Sequence, residues 1–231
     1  MTILAIDTTS QWCSVAIYLD QKNYFFKHEQ LGNTASQRLL DFIADVLNQA
    51  QLKLEDISAF ACSQGPGAFT GIRLGIGVSQ GIAYAQKKPL IPISSLDGMV
   101  AHTWLTRPAL FQNQPVTVAI DARMSQMYTG EYHQNDGTVP HCIRPIQIQD
   151  DLTQSQSDSK LLVSYQCAQY ESFASAFKSV IEATPHALGI AYLASLLSGD
   201  MERYSPEYCQ PLYVRDKVAQ TTLERTQINL V

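Results

Sequence analysis

The chain has 231 residues, 45% of them hydrophobic, which is enough for one sizeable core or two small ones. The net charge of -5 is a poor balance for a lone nucleic-acid binder, because cation–phosphate contacts supply most of that affinity. The five cysteines (13, 62, 142, 167, 209) are scattered without C-x-x-C spacing and read as reduced thiols. There is no basic lead-in to a signal peptide and no run of about 18 apolar residues, so the chain reads as cytoplasmic with no membrane span.

Ile3 to Ile6 reads as a buried strand closed by the polar turn Asp7-Thr8-Thr9-Ser10. Cys13 to Leu19 and Tyr24 to His28 read as the next two strands, joined by a hairpin at Asp20 to Asn23. Thr34-Ala-Ser-Gln37 fits a capping box and predicts a helix to about Ala50. Its apolar residues, Leu39, Leu40, Phe42, Ile43, Val46, Leu47 and Ala50, cover an arc of about 160° at ~100° per residue. A surface helix needs a stripe of only ~100° to sit on one core. The surplus, chiefly Leu39 and Phe42, is either a wide core face or an outer contact.

Ile57 to Ala61 reads as a buried strand that Gly65-Pro66-Gly67 ends. A helix follows to about Ala85, and Gly71, Gly75, Gly77 and Gly81 all fall inside it. Four interior glycines cost about 4 kcal/mol against alanine before packing. Gly71 and Gly75 form one stripe and Gly77 and Gly81 another, so the helix is smooth on two sides. One side belongs to its own sheet; the other suits a neighbouring helix of this chain or of a partner. The turn fits neither phosphate template. No Gly-Lys-Ser/Thr ends it, and Thr70 stands where a dinucleotide fingerprint needs Gly or Ala.

Leu90 to Ile93 reads as a peripheral strand because of Pro92, and Leu96 to Leu105 as a helix. Thr106 to Pro115 is the candidate boundary between a lobe at 1–105 and a lobe at 106–231. There the opening repeats. Thr117-Val-Ala-Ile-Asp121 lies 114 residues after Ile3-Leu-Ala-Ile-Asp7. Strands follow at Tyr128 to Gln134, Val139 to Ile148 and Leu161 to Tyr165, with a polar loop at Asp151 to Lys160. Helices are expected at Phe173 to Ile181 and Ala187 to Leu197, and a loose polar tail at Thr221 to Val231. The order of elements points to two similar halves, a weak internal duplication.

Asp7 and Asp121 end equivalent strands and could hold a divalent metal and a phosphate across a cleft, or could each simply cap a turn. The turns after them, Thr-Thr-Ser-Gln and Ala-Arg-Met-Ser, lack the glycines of an actin-like phosphate hairpin. The five histidines show no metal-binding spacing.

Gly65-Pro-Gly-Ala-Phe-Thr-Gly-Ile-Arg-Leu-Gly75 resembles the motif of the TsaB family, also called YeaZ, with Gly65, Pro66, Gly67, Phe69, Thr70 and Arg73 in place. Ile3-Leu-Ala-Ile-Asp-Thr-Thr9, Ser14-Val-Ala16, Asp121-Ala-Arg123 with Tyr128, and Pro211-Leu-Tyr-Val-Arg215 add to it. The resemblance implies an α/β, two-lobed actin-like (ASKHA, RNase H-like) fold built from two similar subdomains. It implies a non-catalytic partner of the larger TsaD transferase in threonylcarbamoyl modification of the adenosine beside the anticodon of tRNAs reading codons that begin with A. TsaD would bind the N-terminal lobe, the ATPase TsaE would join them, and tRNA would be met only through the complex. Alone, the chain would form a homodimer. The expected partner face comprises Leu39, Phe42, Ile43, Val46, Gly71, Ile72, Leu74, Gly75 and Val78. No catalytic residue and no metal are expected; Asp7 and Asp121 would be vestigial phosphate or metal positions. No cofactor is expected, with weak or interface-shared ATP or ADP binding left open. Ala35 stands where family members often carry His, and Asp41 where Pro is common, which bears on the contacts of that helix.

Overall fold

The computed structural model describes residues 1–111, 114–135, 138–150, 159–197, 201 and 203–214. The expected tail at 221–231 and most of the loop at 151–160 lie outside them.

The chain opens as a meander, β1 (Ile3–Asp7), β2 (Trp12–Tyr18) and β3 (Tyr24–Gln30), antiparallel throughout. Helix α1 (Ala35–Ala50) then leads to β4 (Ala59–Ser63), parallel to β1. Helix α2 (Phe69–Gln86) leads to β5 (Leu90–Ile93), parallel to β4. The sheet order is β3-β2-β1-β4-β5. Pro92, which has no amide hydrogen to give a ladder, sits in the edge strand. Helix α3 (Ser95–Thr106) leaves this sheet.

The pattern then repeats with β6 (Val116–Arg123), β7 (Gln126–His133), β8 (His141–Asp150), β9 (Leu161–Tyr165), the short α4 (Glu171–Ala174) and β10 (Ser179–Glu182). The second sheet runs β10-β9-β6-β7-β8, strand for strand the order of the first, with the same three antiparallel and two parallel members. The last helix is α5 (Ala187–Leu196).

Three sequence expectations change. The helix expected over 173–181 is a single turn followed by an edge strand; Ser179 to Glu182 pair with β9, and that ladder decides what a weak local pattern does not. The Thr34 capping box does not form. Thr34 is itself in helical conformation at the end of a 3-10 turn, and its hydroxyl donates to the Leu31 carbonyl at 2.8 Å.

The third change concerns the boundary at 106. Helix α5 packs Ala187, Leu188, Ile190, Ala191 and Ala194 on the face of the first sheet that carries Ile3, Ala5, Ala16 and Ala61. Residues 204–214 also return to this lobe. Leu90 N donates to the Tyr204 carbonyl at 2.8 Å and Leu212 N to that of Gln64 at 2.8 Å, and the Gln80 side-chain amide holds the Pro206 and Cys209 carbonyls at 2.9 and 3.0 Å. The layers are therefore α1 with α2, the first sheet, α5 with α3, the second sheet, and α4. In the middle layer α3 and α5 cross backbone to backbone: a Cβ on Gly189 would lie 2.0 Å from the Gly98 carbonyl oxygen.

Beside this crossing four rings form a column. Trp12 stacks on His28 (centroids 4.4 Å apart), His28 on His186 (4.3 Å) and His186 on His102 (4.0 Å). His186 Nδ1 also accepts the amide hydrogen of Leu188 and so caps α5. Burial pushes the pKa of His28 down to about 4 and that of His102 to about 4, and lowers that of His186 as well.

Candidate functional site

The turn from β4 into α2 is wedged against the residues that follow β1. Gly67 has φ 155°, and a Cβ there would lie 2.3 Å from the Thr9 carbonyl oxygen. A Cβ on Gly71 would lie 1.9 Å from the carbonyl oxygen of Thr8. The contact is bonded as well as close: Ala68 N donates to the Thr9 carbonyl at 2.6 Å and the Thr8 hydroxyl to that of Gly71 at 2.7 Å. The head of α2, where a phosphate would sit in a nucleotide-binding turn, is thus packed with backbone from Thr8 and Thr9.

The two expected carboxylates are engaged locally. Asp7 is 1% exposed, and its Oδ1 accepts from the Thr9 amide and hydroxyl at 2.9 and 2.7 Å. Its Oδ2 is buried, and burial holds the carboxyl above its ordinary range against the pull of the Thr9 bonds and of the Ser63 hydroxyl. Asp121 accepts from the Arg123 amide at 2.9 Å and the Tyr170 hydroxyl at 2.6 Å, and its Oδ2 pairs with the Arg123 guanidinium at 3.3 Å. Arg123, the last residue of β6, and Met124 and Ser125 in the turn after it all take positive φ. That turn lines an open pocket of about 430 Å³ with Asp121, Gln169 and Tyr170. Asp7 caps its own turn, while Asp121 caps its turn and also takes the hydroxyl of Tyr170. Among the described residues no three of His, Cys, Asp and Glu are grouped to hold a metal ion.

The two glycine stripes of α2 now separate. Gly71 and Gly75 face the chain's own first strand, with Thr8 Oγ1 2.7 Å and Ile6 3.7 Å from a Cβ on Gly75. A Cβ on Gly77 or Gly81 would meet nothing within 4 Å. The open side of α2 carries Phe69, Arg73, Gly77, Gly81 and Tyr84, all exposed. At its head the Arg73 guanidinium lies 3.4 Å from the Phe69 ring centroid and bonds the Tyr213 hydroxyl.

Most of the residues expected at a partner face are therefore internal. Leu39, Phe42, Ile43, Val46 and Ile72 are buried in the core beneath α1 and α2, Gly71 and Gly75 abut β1 and Thr8, and Leu74 and Val78 are half-buried at the margin. The wide arc of α1 is a wide core face. Phe42 is completely covered, with the Lys27 ammonium 4.6 Å from its ring centroid and Arg38 at 6.0 Å. What α1 leaves outside is Leu40, 63% exposed. The Gly77–Gly81 side, with Tyr84, is the stripe of α2 that the rest of the described chain leaves uncovered.

Two sheets of one topology, meeting through a central helix layer, with a carboxylate at or near the end of the first strand of each, define a two-lobed α/β protein of the actin-like class. Residues 29–221 match the family model described as "TsaD: tRNA N6-adenosine threonylcarbamoyltransferase". The chain is 31% identical over 233 residues to the tRNA threonylcarbamoyladenosine biosynthesis protein TsaB of Haemophilus influenzae, covering 94% of this chain and 95% of that one. It is 39% identical over 142 residues to TsaB of Escherichia coli, covering 61% of this chain and 59% of the relative. A crystal structure titled as an uncharacterized protein with similarity to peptidase YEAZ from Pseudomonas aeruginosa superposes with a TM-score of 0.80 at 28% identity, over 93% of this chain and 99% of that one. The chain belongs to the TsaB family. Among the described residues no helix is long and apolar enough to cross a membrane.

Proposed function

We propose that this chain is a non-catalytic, cytoplasmic partner of a TsaD transferase in threonylcarbamoyl modification of the adenosine beside the anticodon, and that it docks TsaD through the open side of α2. The observation that carries this reading is the bare helix face, where Gly77 and Gly81 meet nothing within 4 Å while Phe69, Arg73 and Tyr84 flank them. Two glycines a turn apart in open space weaken the helix by about 2 kcal/mol without any packing return in the isolated chain. A partner helix laid across that face would supply the return. Phe69, Arg73 and Tyr84 are of the residue types that anchor interfaces. The same face, self-complementary about a two-fold axis, supports a homodimer that competes with TsaD.

The local use of Asp7 and Asp121 supports the non-catalytic part of the reading. Nucleotide binding belongs in this reading to the interface shared with the partner, as does contact with TsaE and tRNA. The test is binding of Gly77→Leu and Gly81→Leu to the cognate TsaD by calorimetry, with melting temperatures of both variants. Melting unchanged or raised, with binding weakened at least tenfold, is the expected result. Unchanged binding by both folded variants would overturn the assignment of this face.

A further inference from the structure

Two of the cysteines are not scattered in space. Cys62 in β4 and Cys209, 147 residues later, bring their Sγ atoms to 3.4 Å in hydrogen-bond contact. Both are buried, at 0% and 3% exposure. Their backbones are held independently of the sulfur contact. Cys62 lies in the ladder between β1 and β5, while the segment of Cys209 is tied by Gln80, by Leu212 to Gln64 and by Leu90 to Tyr204. A covalent S–S spacing is about 2.05 Å, so the sulfurs must approach by only about 1.4 Å to bond.

We propose that Cys62 and Cys209 are a redox modification site, closing to a disulfide under a hydroperoxide and fastening residues 204–214 to the first lobe. The two thiols differ in the way such a reaction needs. The two thiols share a hydrogen bond that, together with burial, pushes Cys62 well up, and that lowers Cys209; Cys209, which lies in a surface segment while Cys62 lies inside the sheet, is the nucleophile. Tyr208 and Gln210 on either side of it are exposed, so lifting a short surface segment brings Cys209 to solvent. The Cys209 thiolate attacks the hydroperoxide, its sulfur takes one oxygen, and the O–O bond breaks with release of water or an alcohol. The Cys62 thiol then attacks the sulfenic sulfur, the S–O bond breaks, and its proton leaves with the hydroxide as water. Two thiols are oxidised and one peroxide is reduced. Cys13 and Cys167 are pushed up to about 12 by burial and do not compete, while Cys142 is exposed. The consequence reaches α2, because the fastened segment carries Tyr213, which holds Arg73 at the head of the open face.

The experiment treats the purified full chain, and a Cys142→Ser variant, with hydrogen peroxide, followed by unreduced peptide mapping and thermal melting. A peptide joining residues 62 and 209 is expected, with melting raised by roughly 5–10 °C and both effects reversed by dithiothreitol. Cys209→Ser should show neither. If both thiols remain free to alkylation after the chain is unfolded, no redox pair exists. If the joined peptide forms and melting is unchanged, the bond does not fasten the segment. The measurements use no TsaD, so this result stands apart from the docking experiment.

Discussion

The imidazole of His102 lies flat on that of His186, 11° from parallel, while Nδ1 of His186 accepts the amide that starts α5. Charging His186 places a proton on the capping nitrogen and a like charge against its neighbour. Its acceptor role requires the neutral ring.

Acid should therefore loosen the fold well above the range of ordinary carboxylates. Burial is the main cause that lowers all three stacked histidines, with neighbouring histidines adding to it at His186 and His28 and Arg107 adding to it at His102. A lowered pKa means the unfolded chain binds more protons, so stability is complete above about pH 6.5 and falls as the pH drops from there toward about 4. Asp7 acts in the opposite sense, since its raised carboxyl is relieved by protonation, but it is one group against three. Urea unfolding at pH 7.5 and 4.5 should differ by roughly 3–5 kcal/mol after discounting for partial exposure. His186→Asn, which retains a capping acceptor, should flatten that slope.

Glycine replacements should sort by face. Gly71→Ala places a methyl group on the Thr8 carbonyl and should destabilise by about 3 kcal/mol or more; Gly189→Ala should do the same at the α3–α5 crossing. Gly77→Ala and Gly81→Ala meet open space and should each stabilise the isolated chain by up to about 1 kcal/mol. Chemical denaturation of the four variants checks this.

Asp7→Asn retains an acceptor for the Thr9 amide and hydroxyl while removing a buried charge, so its stability at neutral pH should equal or exceed that of the parent. Asp7→Ala leaves the Thr9 donors unpaired and should be about 1–3 kcal/mol less stable. A phosphate-release assay with ATP is expected to stay at background for the parent. Turnover that Asp7→Ala abolishes would place catalysis in this chain.

A net charge of -5 leaves few uncompensated cations for phosphate. Filter binding near physiological salt should show weak, unselective tRNA association, steep in salt. Sub-micromolar, tRNA-selective binding by the chain alone would contradict the charge argument.

Local pattern carried much of the architecture. The apolar runs at Ile3 and Thr117 and the glycine turn after β4 report their strands directly; Asp7 closes β1, while β6 runs on past Asp121 to Arg123, and the two sheets follow from the repetition. The stacked histidines were not legible, since residues 28, 102 and 186 have no sequence spacing and meet only when three elements converge. Helix α5 had left a signal: Ala187 to Leu196 is apolar on every side, as a helix between two layers must be, yet the sequence does not say which sheet it serves. Ser179 to Glu182 looked helical because a short, exposed edge strand shows little alternation of its own.

Residues 187–197 and 204–214 leave the ribosome after the strands of both sheets have been made, yet they finish the first. Until α5 emerges, the nascent first sheet lacks the cover that Ala187, Ile190 and Ala191 give to Ile3, Ala5 and Ala61. Synthesis order and folding order must then diverge. The earlier-made strands wait, with an apolar face open, for a helix made more than 120 residues later, so a chain stalled before Ala187 exposes the face that Ile3, Ala5 and Ala61 carry.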